Sequence, residues 1–257
     1  MEFLISEKIG KVIHLSLNNP DSRNALHIDM RSQLFAALQD AQSDPEIKAI
    51  LLTGQGSSFC AGGDVKAMGD STPRQSMERL QSYNRIISLM KDMDKPIVTA
   101  VHGYVFGAGC SLVLASDIVF AAKDTKFSFG FLKIGLMPDA GSTYYLPRLI
   151  GVMRAKELIF SGRFFDEEEA YQMGMVTEIC ESVELFGRAL KYAQSLANGP
   201  ALAIGMAKKA LQLSLETGFA GALEFERIGQ SLLQQSRDHK EGIRAFQEKR
   251  KAEFVGE

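Results

Sequence analysis

The chain has 257 residues, 46% of them hydrophobic, enough for a large core, and one domain with an extension is the starting expectation. A formal charge of −2 gives no global basic field for nucleic acid, and no apolar run is long enough to suggest a membrane span. Met1-Glu2-Phe3-Leu4 does not start a basic-then-apolar leader, so no signal peptide is expected. Cys60, Cys110 and Cys180 are widely spaced and odd in number, which gives neither a metal pattern nor a disulfide framework and makes a reducing cytoplasm the expected compartment.

In chain order, Phe3 to Ile5 and Val12 to Leu17 read as strands joined by a Lys8-Ile9-Gly10 turn. The cluster Asn18-Asn19-Pro20-Asp21-Ser22 is a loop. Residues 28–41 carry Met30, Leu34, Ala37, Leu38 and Ala41 at helical spacing, with Pro45 as a stop. Ala49 to Thr53 is a short buried strand leading into the glycine segment Ser58-Phe59-Cys60-Ala61-Gly62-Gly63-Asp64. Residues 66–75 are polar, contain Pro73, and read as a mobile loop. Met77 to Met93 reads as a helix with Leu80, Tyr83, Ile87 and Met90 on one face. Ile97 to Val101 is a buried strand, Ala108 to Ala115 a helix, and Ile118 to Ala122 a strand. Phe127, Phe129 and Phe131 alternate with small residues and would share one face of a strand, with core packing favoured for Phe127.

This alternation argues for an α/β arrangement with buried strands. Beyond residue 139 the pattern turns helical, over 140–149, 151–160, 166–173, 183–197, 200–214, 219–235 and 239–249, with Val176 to Cys180 the strand among them. The division is an α/β core over 1–195 and a helical region over 196–257.

The segment ending in Gly62-Gly63-Asp64 and a second, Gly103-Tyr104-Val105-Phe106-Gly107-Ala108-Gly109-Cys110, each follow an apolar strand-like run. Neither fits a nucleotide-phosphate loop, since Gly107-Ala108-Gly109 lacks a third glycine at the required offset. One backbone N–H from each segment could converge on a single oxygen, the arrangement that stabilises the anion formed when a thioester is deprotonated or attacked. The plainer reading is that these glycines serve tight strand-to-helix turns.

Six stretches in order resemble the crotonase superfamily, the enoyl-CoA hydratase/isomerase family. They are Asn18-Asn19-Pro20 through Asn24-Ala25-Leu26; Phe59 through Asp64; Lys95-Pro96-Ile97-Val98 through Gly109-Cys110; Ala115-Ser116-Asp117-Ile118; Gly135-Leu136-Met137-Pro138-Asp139-Ala140-Gly141-Ser142-Thr143; and Ala245-Phe246-Gln247-Glu248-Lys249-Arg250. The resemblance implies a ββα-spiral core with a helical C-terminal extension, an acyl-CoA thioester substrate with no separate cofactor, and a homotrimer or dimer of trimers. It places an oxyanion hole at the N–H groups of Gly63 and Ala108. Ala108 would sit in the first turn of a helix, where unpaired N–H groups favour an anion.

Hydratases of this family use two glutamates around a water. The resemblance puts those positions at Ser111 and Phe131, and neither side chain can exchange a proton with water as a tuned carboxylate does. Asp139 stands where the hydratases commonly have glycine, as in isomerases of the phenylacetate-pathway type. A single carboxylate suffices for a 1,3 proton shift, and burial would raise its pKa to a useful value. Aspartate just before a helix is also a preferred N-cap. Phe131 should face the acyl chain and exclude water.

For the CoA portion, the resemblance places Arg23, Ala25, Ala61, Asp64, Val65 and Lys66 near the nucleotide and pantetheine, and brings Phe246 and Lys249 to the CoA site, often from a neighbouring subunit. Solvated surface roles are the plainer reading of the charged members, and turn or cap roles that of Asp64 and Asp117. His102 reads as a packed, hydrogen-bonded histidine, and Cys60 and Cys110 as fillers of small buried spaces. No Gly-x-Ser-x-Gly elbow occurs. The expected activity is conversion of a 3-enoyl-CoA to the conjugated 2-enoyl-CoA, in fatty acid or aromatic-acid degradation. The alternatives are an enoyl-CoA hydratase, an enzyme using Asp139 as nucleophile on an activated acyl-CoA, and a non-catalytic CoA- or RNA-binding scaffold.

Overall fold

The computed structural model describes residues 2–69 and 71–257, without the side chains of Lys66 and Ala67. Strands β1 (Leu4–Ile9) and β2 (Val12–Leu17) form an antiparallel hairpin. Parallel to β2 run β3 (Ala49–Gly54) and β4 (Ile97–Val101); the sheet continues with β6 (Ile118–Ala122) and β9 (Glu178–Cys180), so its order is β1-β2-β3-β4-β6-β9. A second sheet holds three short strands, β5 (Tyr104–Phe106), β7 (Lys126–Ser128) and β8 (Phe165–Asp166), in the order β5-β7-β8.

The large sheet is covered on both faces, which explains its continuous apolar runs. Residues alternate strictly between two cores: Leu15, Leu17, Ile50, Leu52, Ile97, Val101, Val119 and Ala121 in one, Val12, Ala49, Leu51, Val98, Ala100, Phe120 and Ala122 in the other. Helices α1 (Ile28–Ser43) and α2 (Pro73–Asp92) pack on each other and contribute to the first core. Helix α7 (Leu185–Ala197) covers the second, using Leu185, Ala189, Ala193 and Ala197 at four-residue spacing; the small alanines let it lie close to β3 and β4. A boundary at residue 195 therefore falls inside a sheet-packed helix. The tail proper begins after it, with α8 (Ala201–Ser214), α9 (Phe219–Leu233) and α10 (Arg237–Glu248). Lys208 of α8 anchors this tail to the core, its ammonium 2.8 Å from Asp117 Oδ2 and 3.2 Å from the Lys95 carbonyl.

Several expectations need correction. Strand β1 runs on through Ile9 because it is an edge strand with exposed Ile5, Ser6, Glu7 and Lys8, so no apolar run marks it. The expected loop over 66–75 contains a 3-10 turn at Val65–Met68, and α2 starts at Pro73 under a Thr72–Gln75 capping box. Phe127, Phe129 and Phe131 do not share a strand: β7 ends at Ser128, and Phe131 lies in the 3-10 turn Gly130–Ile134, although all three are buried. Strand β8 interrupts the helical half, and β9 spans only Glu178–Cys180. Among the described residues no helix is long and apolar enough to cross a membrane.

Candidate active site

The two glycine segments meet backbone to backbone. The Phe59 N–H donates to the His102 carbonyl (2.8 Å), Cys60 N–H to Tyr104 O (3.1 Å), and Phe106 N–H to Cys60 O (2.9 Å). On the other side, Ala61 N–H reaches Arg23 O and Leu26 N–H reaches Gly62 O, both at 2.8 Å. Gly62 adopts φ +88, and a Cβ there would lie 2.6 Å from Phe106 O and 3.3 Å from Ala108 N, so only glycine permits this approach. Gly107, at φ 48 and ψ −117, then turns the chain into α3 (Ala108–Leu114). Ala108 is the first residue of that helix, so its N–H has no intrahelical acceptor. Among the described residues neither the Gly63 nor the Ala108 N–H has a hydrogen-bond acceptor. The two segments singled out from the sequence thus form adjoining loops.

Asp139 precedes α4 (Ser142–Ile150), but its carboxylate does not cap it: Gly141 holds the N-cap position and no side chain bonds there. The loop is held through its backbone instead. Asp139 O accepts from Ser142 N–H at 3.0 Å and from Ser111 Oγ at 3.2 Å, and Ala140 and Gly141 follow with φ +48 and +81. Asp139 Oδ1 is buried with no hydrogen-bond partner among the described residues. Burial pushes this carboxyl above the ordinary aspartate range, opposed by the charges of Arg79 and Arg31.

Ser111 has a different place from the one the resemblance implied. It is fully buried, and its Oγ lies 2.7 Å from Ser142 Oγ as well as touching Asp139 O, so it ties α3 to the Asp139 loop rather than facing a ligand. Phe131 does adjoin the donors, with ring carbons 3.6 and 3.7 Å from where a Gly107 Cβ would sit. Cys60 and Cys110 are buried thiols, Cys60 pushed up to about 12 and Cys110 also raised by burial, which suits packing and not nucleophilic attack. The Cys60 Sγ accepts from Gly62 N–H at 3.4 Å and so helps fix the donor loop. His102 Nε2 is bonded to Gly56 O at 2.9 Å, as a packed histidine would be. Asp117 is structural, accepting from Ile97 N–H (2.7 Å) and Lys208.

Arg23, Ala25, Ala61, Asp64 and Val65 fall on one strip, because the Arg23–Leu26 and Ala61–Gly62 backbones are bonded together. Arg23 is exposed with its guanidinium 4.9 Å from the Tyr104 ring, Val65 is exposed, and the Lys66 side chain lies outside the described residues. Phe246 and Lys249 are not brought to this strip. Phe246 is 86% exposed on the edge of a groove of about 960 Å³ between α8, α9 and α10, which none of the loop residues above lines.

Arg31, Arg79 and Tyr83, which stand beside the donor loops, were missed. Arg31 on α1 is 5% exposed, and its guanidinium stacks 4.4 Å over the Tyr83 ring. Arg31 Nη1 donates to Arg79 O (2.9 Å) and Ser82 Oγ (2.6 Å). Tyr83 Oη lies 3.3 Å from where a Gly63 Cβ would sit, and burial pushes this phenol up to about 12. The signal for Arg31 was its spacing, since it shares a helical face with Leu34 and Leu38.

Comparison with known proteins identifies the family. The family model for enoyl-CoA hydratase/isomerase matches residues 7–257. The chain belongs to the enoyl-CoA hydratase/isomerase family. It is 36% identical to the 1,2-epoxyphenylacetyl-CoA isomerase of Escherichia coli K12 over 100% of this chain and 99% of that protein. It is 34% identical to the 2,3-dehydroadipyl-CoA hydratase of the same organism, over the full length of both. The crystal structure of an enoyl-CoA hydratase from Bacillus anthracis superposes with a TM-score of 0.96 at 28% identity, covering 100% of each chain. The crotonase fold expected from the sequence is thus the fold observed.

Proposed function

We propose that this member of the family is an enoyl-CoA isomerase that moves the double bond of a 3-enoyl-CoA into conjugation. The observation that carries the reading is Asp139: a carboxylate beside the donor loops whose buried Oδ1 has no partner among the described residues, which does not cap its helix, and whose pKa is raised. The thioester oxygen accepts from the N–H groups of Gly63 and Ala108. Asp139 removes the proton at C2, the electron pair delocalises over a dienolate stabilised by the two donors, and Asp139 returns the proton at C4, leaving the double bond between C2 and C3. The protein supplies no separate cofactor in this scheme; CoA arrives with the substrate, its nucleotide and pantetheine lying along Arg23, Ala25, Ala61, Asp64, Val65 and Lys66.

Hydration needs a second acid-base group to activate water. The positions expected to supply it hold Phe131, which walls the site with apolar surface, and Ser111, whose hydroxyl is held by protein. The isomerase name of one relative supports this reading, while the hydratase name of another keeps hydration as the second reading. A trimer or dimer of trimers would let Phe246 and Lys249 reach a neighbour's CoA. The test is Asp139→Asn: conjugation of a 3-enoyl-CoA is expected to fall about 10³-fold, the scale of a lost acid-base group. Full activity in a folded Asn variant would remove Asp139 from the chemistry.

A further inference from the structure

Beside the Gly63 donor lies a cavity of about 600 Å³ whose wall includes Leu26, Arg31, Asp64, Glu78, Arg79 and Tyr83. Tyr83 Oη, 3.3 Å from where a Gly63 Cβ would sit, places this cavity against Gly63. Two guanidinium groups line this cavity, and the charges of Asp64 and Asp139 act on Arg31. Their hydrogen-bonding capacity is nonetheless unfilled. Arg31 is 95% buried in the fold, and among the described residues it bonds to Arg79 O and Ser82 Oγ alone and leaves its Nε buried and without a partner. Arg79 Nε is likewise buried and unpartnered, and among the described residues no hydrogen bond or ion pair reaches its guanidinium. Glu78 on the same wall is held by Arg74 at 3.0 Å. Both arginines act on Asp139 through their charge, and among the described residues Asp139 Oδ1 makes no hydrogen bond to either.

Buried donors of this strength are costly unless an acceptor fills the gap, and arginine's planar fork matches a carboxylate. We propose that Arg31 and Arg79 read the far end of the acyl group, and that the preferred substrates are acyl-CoA thioesters bearing a terminal carboxylate rather than plain alkyl chains. Tyr83, under the Arg31 guanidinium, forms the wall between this subsite and the thioester donors. The inference rests on the acyl-CoA reading of the site and not on which reaction occurs there.

The test uses saturated thioesters, which neither isomerise nor hydrate, so that failure of the isomerase reading leaves it untouched. Adipyl-CoA, hexanoyl-CoA and free CoA are titrated calorimetrically into wild-type protein and into Arg79→Met, with Arg79→Lys as the charge-retaining variant. Wild type is expected to bind adipyl-CoA at least about tenfold more tightly than hexanoyl-CoA, the scale of one charge-assisted hydrogen bond. Arg79→Met is expected to abolish or invert that ratio, Arg79→Lys to retain part of it, and binding of free CoA reports that each variant is folded. Equal affinity for the two thioesters in wild type, or a preference that survives Arg79→Met, overturns the proposal. Failure of all three ligands to bind overturns the acyl-CoA reading and this inference with it.

Discussion

Gly62→Ala tests the donor geometry most sharply. A Cβ at this position would sit 2.6 Å from Phe106 O, with Ala108 N at 3.3 Å. Carbon and carbonyl oxygen meet comfortably at about 3.3 Å, so the two loops must part by about 0.7 Å. The loop cannot swing elsewhere freely, because Ala61 and Gly62 are bonded to Arg23 and Leu26 on its far side. Separation therefore acts on the distance between the Gly63 and Ala108 donors. Loss of one oxyanion donor costs about 10²–10³ in kcat, and a misplacement near 1 Å about 10², so a fall of about 10² is expected. The left-handed φ adds a stability loss of about 1–2 kcal/mol. The assay is kcat for conjugation of a 3-enoyl-CoA, with thermal unfolding and calorimetric CoA binding as controls. A folded, CoA-binding variant with kcat within about threefold of wild type would refute the convergence of the two donors.

Four further outcomes follow from the structure. Because burial raises the Asp139 pKa, the acid limb of kcat/KM should titrate above the ordinary value of 3.8, and Arg79→Met should move it higher still; a limb at or below 3.8 would contradict the buried carboxyl. A carboxyl whose folded pKa is raised binds more protons folded than unfolded, so its contribution to stability declines as pH rises from its unfolded value through its folded one. Asp139→Asn should therefore melt above wild type at neutral pH and lose that advantage below about pH 3.8; a lower Tm at neutral pH would show that the carboxylate stabilises the fold. Lys208→Met leaves Asp117 without its cation in a nearly closed site and should cost about 3 kcal/mol in urea unfolding, against less than about 1 kcal/mol if the pair is dispensable. Sedimentation velocity should give a trimer or hexamer, consistent with exposed Leu211, Phe219, Leu232 and Phe246 on the tail; a monomer would deprive Phe246 and Lys249 of their proposed role.

The large sheet was legible because its strands are short apolar runs between turn residues: Val12–Leu17, Ile97–Val101 and Ile118–Ala122 were located residue for residue. Strands β5, β7 and β8 were not, since two or three residues show no period and their pairing partners lie far along the chain. The start of α2 was legible in principle, through Thr72, Pro73 and Gln75, but its first turn carries no apolar residue to mark a helical face. Gly63, Ala108 and Asp139 could be singled out as candidates because each sits in a local motif. Arg79 and Tyr83 could not be, because α1 and α2 meet only through tertiary packing, and the spacing of Arg31 marks its helical face but not what that face meets. Ser111 misled because position along a helix does not say that Ser142 will claim its hydroxyl.

The central claim is tested most directly by presenting wild-type enzyme in parallel with a 3-enoyl-CoA and with crotonyl-CoA, following the absorbance of the conjugated thioester. A rise with the first and no fall with the second is the predicted result. A rapid fall with crotonyl-CoA would show water addition and contradict an isomerase that works through Asp139 alone.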